Sequence, residues 1–356
     1  MKNFLYLVIC TLHFVCPVSA DLSGLEGLRA VPIMTGESMP KPIMGVGVDH
    51  DGTVYVTETI RQQREEISLI QSPFLHRHCM ALDSTEAKRK WILENYAPNI
   101  IGRQGVKDYN GDGKVDVHDL SVRSEKIYTL QDSDGDGVYD KATLFAEGFN
   151  DLLTGCAHSV APIGGDVYAT ILPDLWKLTD VDGDGVADRK ESLVHGFAPH
   201  IGYGNHDLHS ILQGYDGKLY WSMGDRGANV LTSDGRRVSN PHSGCILRCN
   251  MDGSEFEVFA HGLRNCQYFD FDNYGNLFAV DHDADFQGER ERLVYIPEGS
   301  DSGWRMYYQY RNNTLVRAAR EDLYNPWLAE KMWIPFHAGQ PSHILPAIEN
   351  SWNAPA

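Results

Sequence analysis

The chain is 356 residues long, 42% hydrophobic and 22% charged, which suits a globular protein and excludes the disordered and fibrous classes. Its 49 acidic against 31 basic side chains give a formal charge of −18, which argues against nucleic acid or an anionic membrane surface as a partner. The length fits one large β-barrel or propeller, or two domains.

Residues 1–20, MKNFLYLVICTLHFVCPVSA, carry one early lysine, an apolar run from Phe4 and a small-residue end at Val18-Ser19-Ala20. This is the pattern of a secretory signal peptide. No other window is apolar for long enough to span a bilayer. The expectation is an exported chain, periplasmic or secreted, without a transmembrane segment once the signal is removed. Five cysteines follow the signal: Cys79, Cys156, Cys245, Cys249 and Cys266. Their odd number and irregular spacing fit buried or singly paired thiols better than a disulfide framework or a zinc motif.

A hairpin phrase then recurs along the chain, at 46–58 (VGVDHDGTVYVTE), 160–170 (VAPIGGDVYAT), 212–225 (LQGYDGKLYWSMGD) and 269–281 (FDFDNYGNLFAVD). Each places a D-G, G-G or Y-G turn before a strand of alternating apolar residues. Aligned on the aromatic, the phrases fall at Tyr55, Tyr168, Tyr220 and Phe278, and the later spacings match one four-stranded propeller blade. The spacing predicts an all-β propeller over 21–356, with about five blades. The long first gap predicts an inserted segment, roughly 60–125, lying between blades. Within it, 84–96 (STEAKRKWILENY) reads as a helix with Ser84 as N-cap and Glu86 in the first turn.

Three acidic loops share one ligand spacing. Loop one runs from Asp108 through Asn110, Asp112, Lys114 and Asp116 to Asp119; loop two has Asp132, Asp134, Asp136, Val138 and Asp140; loop three has Asp180, Asp182, Asp184, Val186, Asp188 and Glu191. Oxygens at positions 1, 3 and 5, a glycine at 6 and a backbone carbonyl at 7 wrap a hard cation. Asp119 and Glu191 stand at the closing position 12; loop two has Thr143 there and needs Asp140 or water instead. All-oxygen ligands point to Ca²⁺, and the expected role is to staple loops. A solvated Asp/Gly turn is the alternative for any single loop. Only loop one is followed by a helix entry (VHDLSVRSEKI), so it resembles half of an EF-hand or dockerin unit.

Histidines gather at His200, His206 and His209. Two histidines three apart suit a transition metal or, more ordinarily, hydrogen bonds in a turn. The stretch GNHDLHSILQGYDGKLYWSMGDRG, then FAHGLRNCQYFDFDNYGNLFAVDHD, with Ile171–Trp176 (ILPDLW) and Gly299–Arg305 (GSDSGWR), resembles the glucose/sorbosone dehydrogenase propellers, which are soluble quinoproteins. The resemblance runs from about Leu28 onward and is nearest to an exported, planctomycete-type branch named as membrane-bound dehydrogenases. It implies a six-bladed type, with the last blade or blades beyond the end of this sequence. It further implies His206 as general base, Asp225 as its orienting carboxylate, and Arg264 with Asn265 as contacts to pyrroloquinoline quinone (PQQ). Asp283 falls where relatives hold a calcium ion beside the quinone.

Two functions remain open on these residues. One is a PQQ-dependent dehydrogenase that oxidises a sugar or other alcohol. The other is a non-catalytic, calcium-stapled propeller that binds a glycan or a protein partner. A buried His206–Asp225 pair, Arg264 as a counter-ion and Trp304 as blade packing suit the second equally well.

Overall fold

Three of the four hairpins turn on the same local chemistry. In each, a glycine with positive φ (Gly52 at 92°, Gly217 at 79°, Gly275 at 82°) closes a turn whose amide returns to the carbonyl three residues earlier. The computed structural model describes residues 40, 42–61, 67, 75–96, 106–202, 205–282, 289–306 and 326–351. The signal-like segment 1–20 lies outside them.

The hairpins build four antiparallel four-stranded sheets arranged in a ring, a β-propeller. Blade one holds β1 (Ile43–Val48), β2 (Val54–Glu58), β3 (Glu125–Gln131) and β4 (Lys141–Phe149) in sequential order. Blade two holds β5 (Ala157–Ile163), β6 (Asp166–Ile171), β7 (Asp174–Thr179) and β8 (Arg189–His195). In blade three, β9 (Leu208–Gln213) and β10 (Leu219–Met223) are separated in sequence from β13 (Gly244–Cys249) and β14 (Glu257–Leu263) by a hairpin of β11 (Ala228–Leu231) and β12 (Arg237–Asn240). Blade four holds β15 (Cys266–Phe271), β16 (Leu277–Asp281), β17 (Glu291–Tyr295) and β18 (Glu349–Ser351). Tyr55, Tyr168, Tyr220 and Phe278 occupy the second strand of each blade, as their spacing predicts.

The apolar core lies between blades. Phe145 and Phe149 of blade one pack on Val160, Ala169 and Ile171 of blade two. Leu175 and Phe197 meet Trp221, Leu247 and Phe256 of blade three, with the Phe197 and Trp221 ring centroids 6.0 Å apart. Ile246, Phe259 and Leu263 meet Phe269, Leu277 and Val294 of blade four. Burying each such side chain contributes about 1.5–3 kcal/mol, so the blades hold one another in place. The first strands β1, β5, β9 and β15 touch in succession and line the centre of the ring.

Two expectations from spacing are corrected. The inserted segment does not lie between blades: β2 pairs with β3 through Val54↔Leu130 and Glu58↔Lys126, so 60–124 is a long connection inside blade one. The described residues form four blades where the spacing predicts about five, because 296–348 is also spent within a single blade, between β17 and β18. The repeat length measures hairpins and is blind to such insertions.

Within the inserted segment, α1 (His76–Met80) precedes α2 (Thr85–Asn95), whose N-cap Ser84 accepts the Ala87 amide at 3.2 Å. Leu75, Cys79, Leu82 and Ile92 pack on Leu153, Ile201 and Met306. Lys88 Nζ donates to the Ala198 carbonyl at 3.2 Å. The insertion therefore fastens the 197–202 loop, which leads to His206.

Candidate functional site

Every inner strand opens with an irregular register: between Ile43 and Val46 in β1, Ala157 and Ser159 in β5, His209 and Ile211 in β9, and Cys266 and Tyr268 in β15. A bulge breaks the in–out alternation and re-aims side chains. In β9 the extra residue is Ser210, held at φ 31°, and Leu208, His209 and Ser210 are all buried in succession. The N-terminal ends of β5, β9 and β15 converge, and with them His158, His206, His209, Arg264 and Asn265.

His206 and Asp225 meet directly. His206 Nδ1 lies 2.7 Å from Asp225 Oδ1, and the two residues are 3% and 0% exposed. The second carboxylate oxygen, Oδ2, accepts the Trp304 indole N–H at 2.9 Å. Burial pushes the Asp225 carboxyl up, but His206, Arg264 and the Trp304 hydrogen bond outweigh it and hold the group below its ordinary value. An ionised Asp225 fixes the imidazole with Nδ1 as donor, so Nε2 is the nitrogen that would take a proton.

Gly224 makes this pairing possible. A Cβ at that position would stand 2.6 Å from the His206 carbonyl carbon and 2.7 Å from its Cα. Gly224→Ala is therefore expected to lower stability by about 1–3 kcal/mol, read as a shift in the urea midpoint, and to displace the His206 ring. A variant that unfolds like the parent would contradict the close approach.

Arg264 and Asn265 stand just before β15, 4% and 2% exposed. Arg264 Nη1 donates to the His282 carbonyl at 2.9 Å, and its guanidinium lies 5.7 Å from the Trp304 ring centroid. Asn265 Oδ1 is 3.1 Å from His209 Nε2, which also contacts the Asn205 carbonyl at 2.8 Å. Both backbone amides donate to Asp281, itself bridged to Arg292 by two contacts of 3.0 and 2.7 Å. Thus His206, Asp225, Arg264 and Asn265 are brought to one end of the ring; Asp283 lies outside the described residues.

Three participants escaped the sequence reading. Trp304 is not simple blade packing, because it hydrogen-bonds the Asp225 carboxylate. Asp281 organises the Arg-Asn turn from sixteen and seventeen residues away. Arg226 forms a buried ion pair with Asp207 Oδ1. The signal for Trp304 was present in the GSDSGWR turn, but nothing local ties it to Asp225. A separate cavity of about 540 Å³ is lined by Asp301, Arg305, Trp327, Glu330 and His343, not by His206.

The three acidic loops share one internal pattern. The first aspartate accepts the amides of loop positions 4 and 6: Asp108 from Gly111 and Gly113, Asp132 from Gly135 and Gly137, Asp180 from Gly183 and Gly185. Asn110, Asp134 and Asp182 accept from position 5, while Asp112, Asp136 and Asp184 accept from Lys114, Val138 and Val186. Carboxylate oxygens of Asp132, Asp134 and Asp136 lie within 4.8 Å of one another, as do those of Asp180, Asp182 and Asp188. Loops two and three join the third and fourth strands of blades one and two. Position 12 therefore falls in a strand: Thr143 on β4, and Glu191 on β8 paired with Lys177. Asp140 closes its loop on the Ser133 amide at 3.0 Å.

Loop one ends differently from an EF-hand. The residues after it form a five-residue 3₁₀ turn, Val117–Ser121, before the chain enters β3. Asp116 caps this turn by accepting the His118 amide, and Asp119, 1% exposed, accepts the amides of Tyr109, Asn110 and Asp116. Asp119 closes the loop through hydrogen bonds to backbone.

Beneath the insertion, His200 is fully buried with Nδ1 2.8 Å from the Cys79 carbonyl. Burial pushes its imidazole down to about 4. A histidine with a lowered folded value contributes stability above its unfolded value near 6.5, and that contribution is lost as pH falls toward 4. Wild type is expected to lose up to about 3 kcal/mol more than His200→Gln across this window, measured by denaturant melts at each pH. Parallel pH profiles would refute the assignment.

The architecture has recognisable counterparts. It is similar to the PQQ-bound form of an aldose sugar dehydrogenase from Streptomyces coelicolor, with TM-score 0.50 and 15% identity over 90% of this chain and 70% of that one. An oxidoreductase described as a glucose dehydrogenase, from Thermus thermophilus, gives TM-score 0.43 and 17% identity over 78% and 67%. The first of these likenesses concerns the propeller fold alone. No curated protein sequence matches the chain. A family model described as a domain of unknown function, DUF7133, matches residues 38–333, and the chain belongs to that family.

Proposed function

We propose that this protein is an exported, calcium-holding propeller that uses PQQ to oxidise a sugar or other alcohol. The observation that carries the reading is the convergence of the buried His206–Asp225–Trp304 relay with Arg264 and Asn265 at one end of the inner strands. This donor set fits a quinone: a guanidinium and an amide to hold its oxygens, and an imidazole beside them to receive a proton. PQQ, when bound, supplies the electron sink for a hydride. In the chain itself, Asp225 sets the tautomer of His206, His206 takes the substrate hydroxyl proton at Nε2, and Trp304 keeps Asp225 in position. Asp283 would be a further ligand beside the quinone.

The acidic loops supply oxygen-only donors, which fit Ca²⁺. They hold thirteen of the 49 acidic residues, so much of the acid surplus belongs to them. Calorimetric titration of the chelated chain is expected to give three loop ions, and Asp132→Ala and Asp180→Ala each one fewer. An unchanged stoichiometry in both variants would count against the loops.

The functional test is direct. The calcium-loaded chain is mixed with PQQ, binding is followed by absorbance, and dye reduction is measured across a panel of aldoses and alcohols. Absence of quinone binding at tens of micromolar sinks the enzyme reading and leaves a propeller that only binds a glycan or protein partner.

A further inference from the structure

A second cluster lies beside the His206 end of the ring and takes no part in the reading above. Cys156 precedes β5, His158 sits on the β5 bulge, and Asp207 precedes β9. One ligand atom from each lies within 4.8 Å of the other two, and all three residues are buried at 0%, 5% and 0% exposure. Two of these groups have their polar atoms aimed at each other in a long ion pair. His158 Nε2 and Asp207 Oδ2 are 3.5 Å apart, beyond good hydrogen-bond geometry, and neither atom has another hydrogen-bond partner.

A buried carboxylate oxygen and a buried imidazole nitrogen left in this state each cost free energy, and native proteins rarely leave both. The spacing suits two ligands of one ion. Nitrogen and oxygen ligands at about 2.0–2.1 Å from a tetrahedral metal stand about 3.3–3.4 Å apart. The thiol of Cys156 supplies the soft third ligand that separates this site from the oxygen-only loops. The surroundings also match. Arg226 engages the other oxygen of Asp207, leaving Oδ2 directed at His158. Glu125 Oε2 accepts the Ala157 amide at 2.8 Å, which holds the backbone between Cys156 and His158. The His209 ring packs edge-on against His158 at 4.2 Å.

We propose that Cys156, His158 and Asp207 form a site for one borderline divalent transition metal, zinc in the first instance, with a fourth coordination position open. The proposal stands whether or not PQQ binds, and its test does not read activity.

The full chain is refolded from chelator with excess Ca²⁺, to fill the oxygen loops, and titrated with Co²⁺. One equivalent is expected to produce a near-ultraviolet thiolate-to-cobalt band and the intense visible bands of four-coordinate cobalt, both displaced by one equivalent of Zn²⁺. Cys156→Ser should abolish the thiolate band, His158→Gln should weaken binding at least tenfold, and Cys245→Ser should change neither. Wild type without a thiolate band overturns the site and leaves His158 as the ion-pair partner of Asp207. A band that survives unchanged in Cys156→Ser, or in His158→Gln where the serine variant does not fold, overturns it equally.

Discussion

Replacing His206 with Asn is expected to lower kcat for sugar- or alcohol-dependent dye reduction by about 10²–10⁴-fold, with quinone affinity nearly unchanged. The imidazole is buried against Asp225 through Nδ1 at 2.7 Å, so Nε2 is the group that would accept the hydroxyl proton. Asparagine fills similar space but has no basic nitrogen. Asp225→Asn is expected to give a smaller loss with a changed pH profile, since it keeps one acceptor for Trp304 or for His206 but not the charge that orients the ring. Steady-state rates across pH, with quinone binding measured separately, check both expectations. A His206→Asn variant within tenfold of wild type would remove His206 from the proposed chemistry.

Asp281→Ala is expected to destabilise the chain by about 3–5 kcal/mol, the cost of stranding a buried charge. Asp281 is fully buried, and it accepts the amides of Arg264 and Asn265 as well as Nε and Nη2 of Arg292. Arg292 is itself 1% exposed, with further bonds to the Ser302 and Gly262 carbonyls and its guanidinium 4.7 Å from the Trp327 centroid. Removing the carboxylate leaves that guanidinium without its counter-ion and orphans two backbone amides. Asp281→Leu combined with Arg292→Met should recover part of the loss, because burying neither charge costs less than burying one alone. Denaturant midpoints of the single and double variants measure the coupling. Additive losses would show that the pair does not act as a unit. The same substitution loosens the turn that presents Arg264 and Asn265, so quinone affinity should fall with stability.

The features legible in the sequence were local ones. The hairpins at Tyr55, Tyr168, Tyr220 and Phe278 could be read because a turn glycine and a short alternating strand carry their own conformational preference. The helix from Thr85 could be read because Ser84 caps it within four residues. The acidic loops could be read because their aspartates bond amides within ten residues, most of them two to five away. The His206–Asp225 pair was reachable through its family spacing, and only because the β9–β10 hairpin between them is itself local.

What escaped the reading depends on contacts between distant segments. The β2–β3 pairing spans the inserted segment, so whether that segment lies within a blade or between blades is decided by which strands finally bond. Trp304 reaches Asp225 across 79 residues, and Cys156 and His158 meet Asp207 only where β5 and β9 come together at the centre of the ring.

The sequence by itself determined the hairpins, the capped helix, the acidic loops and an acid surplus that argues against nucleic acid. Backbone preference and short-range hydrogen bonds act over a handful of residues and leave their mark in composition and spacing. Only the tertiary structure decided the number of blades described, the place of the insertion and the grouping of side chains at the inner-strand ends. Those features follow from burial between blades, where the free energy comes from side chains that are remote in sequence and become neighbours only when the ring is assembled.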